Sequence, residues 1–122
     1  MTFTIFQTKT TPYADFRNGY LVISGKSVPF SYPEIFNTIH DRLRVYMQKP
    51  EKEMKIDFNL SAINAVSKRA IMQTFRLFEE MNSMGANIQI NWYYQIDDDD
   101  VFEIGEICRS TFNVPTHVQM YS

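Results

Sequence analysis

The sequence predicts a single-domain α/β protein, in which a mixed β-sheet opens with an antiparallel hairpin and carries three helices. Three observations support this class. At 122 residues, the chain is long enough for one ordinary hydrophobic core, so residues 1–122 form one domain. Segments with period-two hydrophobicity alternate with segments of helical periodicity. The changes between the two periods fall near proline, glycine or short polar residues, as is typical of element ends.

The chain is expected to begin with antiparallel strands. Residues 4–6 predict a first strand. Two further apolar runs, residues 13–16 and 20–24, flank Asn18-Gly19, and this pair is a strong signal for a tight hairpin. Gly25 and Pro29 are expected to end the third strand.

Three helices and three strands are expected to follow. The motif Ser31-Tyr-Pro-Glu34 predicts a helix with a serine N-cap, and Pro50 predicts its end. Strict alternation over residues 54–60 predicts a strand, and helical spacing after Asn64 predicts a second helix that Gly85 caps. The remaining elements are listed here in order: a strand at 88–94, a helix at 97–111 and a strand at 114–121. Since strands alternate with crossover helices, the later strands should be mostly parallel.

Composition excludes several classes of function. A formal net charge of −2 argues against a nucleic-acid partner, and Lys68-Arg69 is the only local basic group. No apolar run approaches the roughly 20 residues of a membrane span, and no secretory signal begins the chain. The single Cys108 cannot form an internal disulfide. We therefore expect a cytoplasmic protein without a membrane segment.

No group of residues predicts nucleophilic catalysis or a cofactor. His40 lies in a helix stripe and His117 in the last strand, and neither accompanies a nucleophile motif. Cys108 occupies an apolar position and is expected to pack rather than to react. The four glycines are scattered, whereas a phosphate-binding loop needs a glycine-rich turn before a helix. The protein is therefore not expected to be an enzyme.

The run from Asp97 to Asp100 supports a competing hypothesis, a metal-assisted phosphohydrolase, because Mg²⁺ prefers carboxylate oxygens. Consecutive acids on a helix point in different directions, however, and the helix dipole alone favours acids in a first turn. A helix start is therefore the preferred interpretation. A third hypothesis is a structural homo-oligomer joined through sheet edges or through the aromatic hairpin.

The junction before the second helix is the candidate regulatory site, formed by Asn64, Ala65, Ser67 and Lys68. A strand ends there and a helix begins, so a phosphate would meet free backbone N–H groups at the helix N-terminus. Ordinary N-capping by Asn64 or Ser67 explains the same pattern. From the residues alone, both interpretations stay open.

Three blocks of the chain resemble the SiaC-type regulatory phosphoproteins of bacteria, which are similar to anti-sigma-factor antagonists of the STAS class. The first block runs from Thr11-Pro12 to Pro29, although Val28 and Phe30 depart from the family's usual tyrosine and glutamate. The second, residues 58–69, lies over a strand that ends in the motif N-T-S-S-S-K. The third and most specific contains Asn91-Trp-Tyr-Tyr94, the aspartate run and a Gly-Glu pair. The resemblance covers about residues 11–121 in the right order.

The resemblance implies a STAS-like fold and a non-enzymatic regulator that works by partner switching. In this family, a dedicated Ser/Thr kinase and a phosphatase control phosphorylation of a threonine in the N-T-S-S motif. The unphosphorylated form binds and activates a diguanylate cyclase. The resemblance therefore implies protein partners of these kinds, and a role in cyclic-di-GMP signalling and biofilm control.

The sequence departs from the family motif at the phosphorylated position itself. The threonine falls on Ala65, which has no hydroxyl, and the next serine falls on Val66. Ser67 keeps the following serine and is the candidate phosphosite, whereas Lys68 replaces the third serine. Either Ser67 has taken over the role, or the control has been lost and the chain resembles a permanently unphosphorylated form.

Overall fold

A computed structural model describes residues 2–48 and 53–121, and its elements follow the predicted order. The strands are β1 (Thr2–Ile5), β2 (Tyr13–Arg17), β3 (Tyr20–Ser27), β4 (Glu53–Ile63), β5 (Asn87–Tyr94) and β6 (Thr116–Met120). The helices are α1 (Glu34–Met47), α2 (Ala65–Ser83) and α3 (Asp99–Thr111). The predicted fold class is thereby confirmed. In this part of the chain, no helix combines the length and the apolar character needed to cross a membrane.

The six strands form one mixed sheet whose spatial order equals the chain order, β1-β2-β3-β4-β5-β6. The pairs β1–β2 and β2–β3 are antiparallel, and the pairs from β3 to β6 are parallel. Asn18 and Gly19 join β2 to β3 with φ angles of 51° and 80°. Asparagine and glycine adopt this left-handed conformation more readily than other residues, so the sequence pair specifies the turn. The predicted hairpin and the parallel later strands are both confirmed.

The helices cover one face of the sheet and leave the other open. On β4, Ile56 and Phe58 are fully buried, whereas Lys55 is exposed and Asp57 is partly exposed. Because successive side chains of a strand point to opposite faces, the core lies between one face and the helices. Its largest fully buried side chains are Trp92, Phe16, Phe36, Phe58, Phe75 and Phe78.

Several predicted element ends are wrong: β1 begins at Thr2 rather than at residue 4, β6 spans Thr116–Met120 rather than 114–121, and three further ends differ for a local reason. The N-cap of α1 is Pro33 rather than Ser31. The backbone of Pro33 is extended, and no side-chain hydrogen bond caps the helix. β3 continues through Gly25 to Ser27, because its ladder with β4 shifts register there instead of ending. α3 begins at Asp99, two residues later than predicted, because Asp98 caps it. The predicted end of α1 at Pro50 lies outside the described residues.

Candidate functional site at the start of α2

The candidate site lies at the carboxyl ends of the parallel strands. β3, β4 and β5 are neighbours, so the segments that follow them lie side by side, with Asn64 in the middle. In open α/β sheets, functional surfaces commonly lie at this edge. Each flanking segment carries an exposed apolar side chain, since Phe30 is 100% exposed and Ile96 is 76% exposed.

Asn64 holds the start of α2 in place. Its side-chain oxygen accepts a hydrogen bond from the backbone N–H of Ser67 at 3.0 Å, which confirms the N-capping interpretation. Its side-chain amide donates to the carbonyl of Pro29 at 2.7 Å, and its backbone N–H donates to the carbonyl of Ser27 at 3.2 Å. The first turn of α2 is thereby fastened to the segment that follows β3.

Ser67 is inaccessible to solvent. Its exposed fraction is 0%, and its hydroxyl forms a hydrogen bond with the hydroxyl of Ser27 on β3. A phosphate on Ser67 would break this hydrogen bond and bring about two negative charges into a buried position. Burial therefore counts against Ser67 as an acceptor of phosphate.

Ala65 and Lys68 lie on the outer side of the same turn. Ala65 is the first residue of α2 and is exposed, and Lys68 is partly exposed. Both residues line two adjacent grooves. The four predicted site residues thus fall into two pairs: Asn64 and Ser67 fix the turn from inside, whereas Ala65 and Lys68 face outward.

The first of these grooves, which we name the junction groove, separates α2 from α3 and has a volume of about 200 Å³. Its lining residues are Ile63, Asn64, Ala65 and Lys68 on one wall, and Asp100, Glu103, Ile104 and Ile107 on the other. One ammonium group therefore shares the groove with two carboxylates. The structure brings the aspartate run next to the candidate site, a proximity that the sequence did not indicate.

The α3 wall of the junction groove is positioned by Trp92 and Gly105. A Cβ atom on Gly105 would lie only 2.3 Å from Cδ1 of Trp92, so no larger residue fits without a shift. The indole Nε1–H donates to the carbonyl of Val101 at 2.9 Å, inside the first turns of α3. Trp92 is itself fully buried. The Trp-Tyr-Tyr and Gly-Glu segments thus supply Trp92 and Gly105, whose close contact fixes the position of α3 against β5.

The aspartate run begins α3. Asp98 is the N-cap, and its carboxylate accepts a hydrogen bond from the N–H of Val101 at 3.1 Å. Asp99 and Asp100 occupy the first turn, where the helix dipole favours negative charge. The helix-start interpretation is confirmed. Among the described residues, no three histidine, cysteine or carboxylate side chains are grouped so that they could hold a metal ion.

A second groove, which we name the basic groove, runs along α2 and has a volume of about 290 Å³. Its lining residues are Ala65, Lys68, Arg69, Met72, Gln73 and Arg76. These include three cations and, among the described residues, no carboxylate. This groove was not predicted from the sequence, in which Lys68-Arg69 stands out as an isolated basic pair. The helical spacing of residues 65, 69, 72 and 76 is the signal that identifies it.

The remaining candidates for chemistry do not form a catalytic group. His40 is buried, and its Nε2 lies 2.6 Å from the hydroxyl of Thr74. Cys108 is fully buried, and burial raises the pKa of its thiol to about 12. The packing role predicted for Cys108 is thereby confirmed. His117 is exposed on β6.

Comparison with known proteins adds the family to this geometry. The model of the SiaC family, described as "SiaC family regulatory phosphoprotein", matches residues 5–121. The chain belongs to the SiaC family. The resemblance predicted from the three sequence blocks is therefore confirmed. An uncharacterized protein of Pseudomonas aeruginosa strain UCBPP-PA14 is 26% identical over 116 residues, which cover 93% of this chain and 92% of the relative.

Two solved structures support the same family assignment. Apo-SiaC from Pseudomonas aeruginosa is 26% identical and superposes with a TM-score of 0.86 over 98% of each chain. The crystal structure of the diguanylate cyclase SiaD in complex with its activator SiaC, from the same organism, contains a chain that is also 26% identical. That chain superposes with a TM-score of 0.86 and covers 98% of this SiaC-family protein and 99% of its own length.

Proposed function

We propose that this protein is a non-enzymatic, cytoplasmic regulator that binds and activates a diguanylate cyclase in cyclic-di-GMP and biofilm control. Family membership together with one structural relative carries the proposal. That relative is described as the activator of the diguanylate cyclase SiaD, in complex with it, and it shares nearly the whole fold of this chain. The strand ends and the helix start that form the candidate site all lie within the described residues.

The docking surface in this proposal is the outer side of the first turn of α2. Ala65 and Lys68 are accessible there, and Phe30 and Ile96 supply exposed apolar side chains on either flank. Apolar anchors surrounded by polar groups are typical of protein interfaces. Asn64 and Ser67 contribute indirectly, because they hold this turn in one conformation.

In the same proposal, phosphorylation no longer controls this surface. Ala65 stands at the family's threonine position and offers no hydroxyl. Ser67 is buried and hydrogen-bonded. A phosphate at position 65 would add about two negative charges beside Lys68, whereas alanine adds no charge. The protein is therefore a constitutive binder, and a family kinase and phosphatase have no substrate at this position.

The experiment that tests the proposal measures cyclic-di-GMP formation by the purified diguanylate cyclases of the source organism, each with and without this protein. We expect the wild type to bind and activate one of them. Ala65→Asp places a carboxylate at the head of the site, so we expect at least roughly tenfold weaker binding, or about 1.4 kcal/mol. Asn37→Asp adds a negative charge on the exposed face of α1 and is the matched control.

A second arm tests the phosphorylation control. A SiaC-family kinase should label Ala65→Thr and leave the wild type unlabelled. Labelling of the wild type that disappears in Ser67→Ala would instead restore Ser67 as the phosphosite. Absence of activation by the wild type with every cyclase would contradict the proposed function.

A further inference from the structure

We propose that the basic groove of α2 receives an acidic amphipathic helix of the signalling partner, with Phe30 as the aromatic anchor beside it. This inference rests on the proposed function and specifies the chemistry of the partner segment that this surface recognises.

The charge of the basic groove is opposite to that of the protein as a whole. The chain has a formal net charge of −2, yet the groove presents Lys68, Arg69 and Arg76. None of the three makes an ion pair with any carboxylate that the structure describes. Lys68 also borders Asp100 and Glu103, and Arg76 borders Glu80, but neither cation is engaged in an ion pair with them. Carboxylates of a partner can therefore pair with the cations of the groove, and arginine can do so through two parallel hydrogen bonds.

The length of the basic groove suits a helix. From Ala65 to Arg76, the groove follows α2 for about three turns, or roughly 16 Å. Met72 lies between the cations and is partly buried, so it supplies an adaptable apolar floor. A partner helix could place leucine-like side chains against Met72 and carboxylates against the cations on either side of it. Its apolar and its charged positions would then both match the groove.

Phe30 extends the apolar part of this surface. It is 100% exposed, and its segment is tied to α2 on both sides. Before it, the carbonyl of Pro29 accepts a hydrogen bond from the side chain of Asn64 at 2.7 Å. After it, the hydroxyl of Tyr32 donates to the side-chain oxygen of Gln73 at 2.8 Å. The backbone on either side of the ring is thus hydrogen-bonded to Asn64 and to Gln73 of the groove, which lowers the entropy lost when a partner covers the ring.

The position of Ala65 connects the basic groove to the family's phosphorylation site. Residues three and four positions apart are neighbours on a helix surface, so a phosphate at position 65 would lie near Lys68 and Arg69. It would occupy the same cations that we assign to the partner's carboxylates. Direct competition for these cations is therefore the way in which a charge at position 65 would release the partner.

The test uses a fluorescein-labelled helical peptide of about 18 residues, with glutamates flanking a stripe of leucines. Its matched control replaces every glutamate by lysine, and a single-stranded DNA oligonucleotide of equal negative charge is the third probe. Fluorescence anisotropy is measured with the wild type, with the double variant Arg69→Glu/Arg76→Glu, and with Phe30→Ala. Arg42→Glu, on the exposed face of α1, reverses one such charge outside the groove. Circular dichroism establishes that each variant folds.

We expect the wild type and Arg42→Glu to bind the glutamate peptide equally, with an affinity that falls as salt is raised. The double variant should lose at least roughly tenfold in affinity, and Phe30→Ala roughly fivefold. The lysine peptide and the oligonucleotide should bind weakly. Absence of glutamate-peptide binding, full retention by the double variant, or equal binding of the oligonucleotide would overturn the proposal.

The cyclase assay separates this inference from the proposed function. Loss of cyclase activation in the double variant, with activation kept in Arg42→Glu, supports the groove as the partner's site. Activation that persists in the double variant overturns the inference and leaves the proposed function intact. Peptide binding without activation of any cyclase supports the groove's specificity and contradicts the proposed function.

Discussion

Gly105 illustrates how one absent side chain sets the position of an entire helix. The hydrogen at its Cα allows α3 to approach the indole of Trp92, and the hydrogen bond from Trp92 to Val101 fixes the helix in the same place. The apolar wall of the junction groove depends on this seating, because Ile104 and Ile107 lie on either side of Gly105 in the same helix.

Gly105→Ala reverses the usual effect of this substitution in a helix. Alanine normally stabilises a helix interior by about 1 kcal/mol relative to glycine. Here the added methyl group would clash with Trp92 at a cost of about 3 kcal/mol, the upper end of the usual range for overpacking, because the clash is with a buried ring. We therefore expect a net loss of about 2 kcal/mol in the free energy of unfolding. Urea denaturation measures the change, and Ser110→Ala, on the exposed face of α3, is the control. A more stable Gly105→Ala protein would contradict the close approach.

His40 makes the stability of the protein depend on pH. The hydroxyl of Thr74 donates to the carbonyl of Ala70 at 2.9 Å, so it accepts a hydrogen bond from the Nε2–H of neutral His40. Burial lowers the pKa of His40, and the Arg44 guanidinium lowers it further against a smaller opposing effect of Asp41. The unfolded chain therefore binds the proton at a higher pH than the folded chain does.

We expect the stabilisation that neutral His40 contributes to be complete above the ordinary histidine pKa of 6.5. It should be lost progressively as the pH falls below that value. Urea denaturation between neutral pH and pH 5 would compare the wild type with His40→Gln, which does not titrate. The free energy of unfolding should fall more steeply on acidification in the wild type. If the free energy of unfolding depended on pH in the same way in both proteins, a lowered pKa of His40 would be excluded.

At the scale of elements, the junction between β4 and α2 depends on two functions of one asparagine. Asn64 caps α2 with its side-chain oxygen and binds the carbonyl of Pro29 with its side-chain nitrogen. Asn64→Asp keeps the acceptor and removes the donor, whereas Asn64→Ala removes both. We expect Asn64→Ala to cost about 2 kcal/mol and Asn64→Asp about half as much.

Thermal or urea denaturation measures both variants, and hydrogen exchange locates the effect. Both variants should increase exchange in the first turn of α2 and should leave the protection of β1 and β2 unchanged. Equal stability of the two variants would mean that the bond to Pro29 contributes nothing to the junction.

The elements themselves were largely predictable, because hydrophobic periodicity is a property of each segment alone. Their ends were less predictable, since neighbouring residues compete for the same capping position: Ser31 with Pro33, and Asp97 with Asp98. Asn64 was recognised as part of the site because capping is local. The burial of Ser67 follows from its position four residues before Ile71 on the buried face of α2. Its hydrogen-bond partner Ser27 was not predictable, because it lies 40 residues earlier in the chain.

At the scale of the whole molecule, the basic groove was missed for a related reason. Its lining residues lie on one face of α2, and the tertiary contact between Tyr32 and Gln73 ties the segment that follows β3 to that face. Phe30 was noted only as a departure from the family pattern. Its complete exposure is a property of the folded protein and of no single segment.

The open face of the sheet carries polar side chains that bond to one another across the strands. The carboxylate of Asp57 accepts hydrogen bonds from the hydroxyl of Tyr20 at 2.5 Å and from the amide of Asn91 at 3.0 Å. Gln119 in turn donates to Asn91 at 3.2 Å. The bond to Asp57 is the main reason why the pKa of Tyr20 rises to about 12. A face of this kind tolerates water without a covering layer of helices.

The agreement between spatial and chain order in the sheet has a consequence for how the protein is made. No strand has to be inserted between two strands that have already paired, because each new strand adds to the outermost edge. A chain leaving the ribosome, at about 5–20 residues per second, can therefore extend its native sheet as soon as each segment emerges. β4, which leads directly into the candidate site, can pair with β3 before the last two strands have emerged from the ribosome.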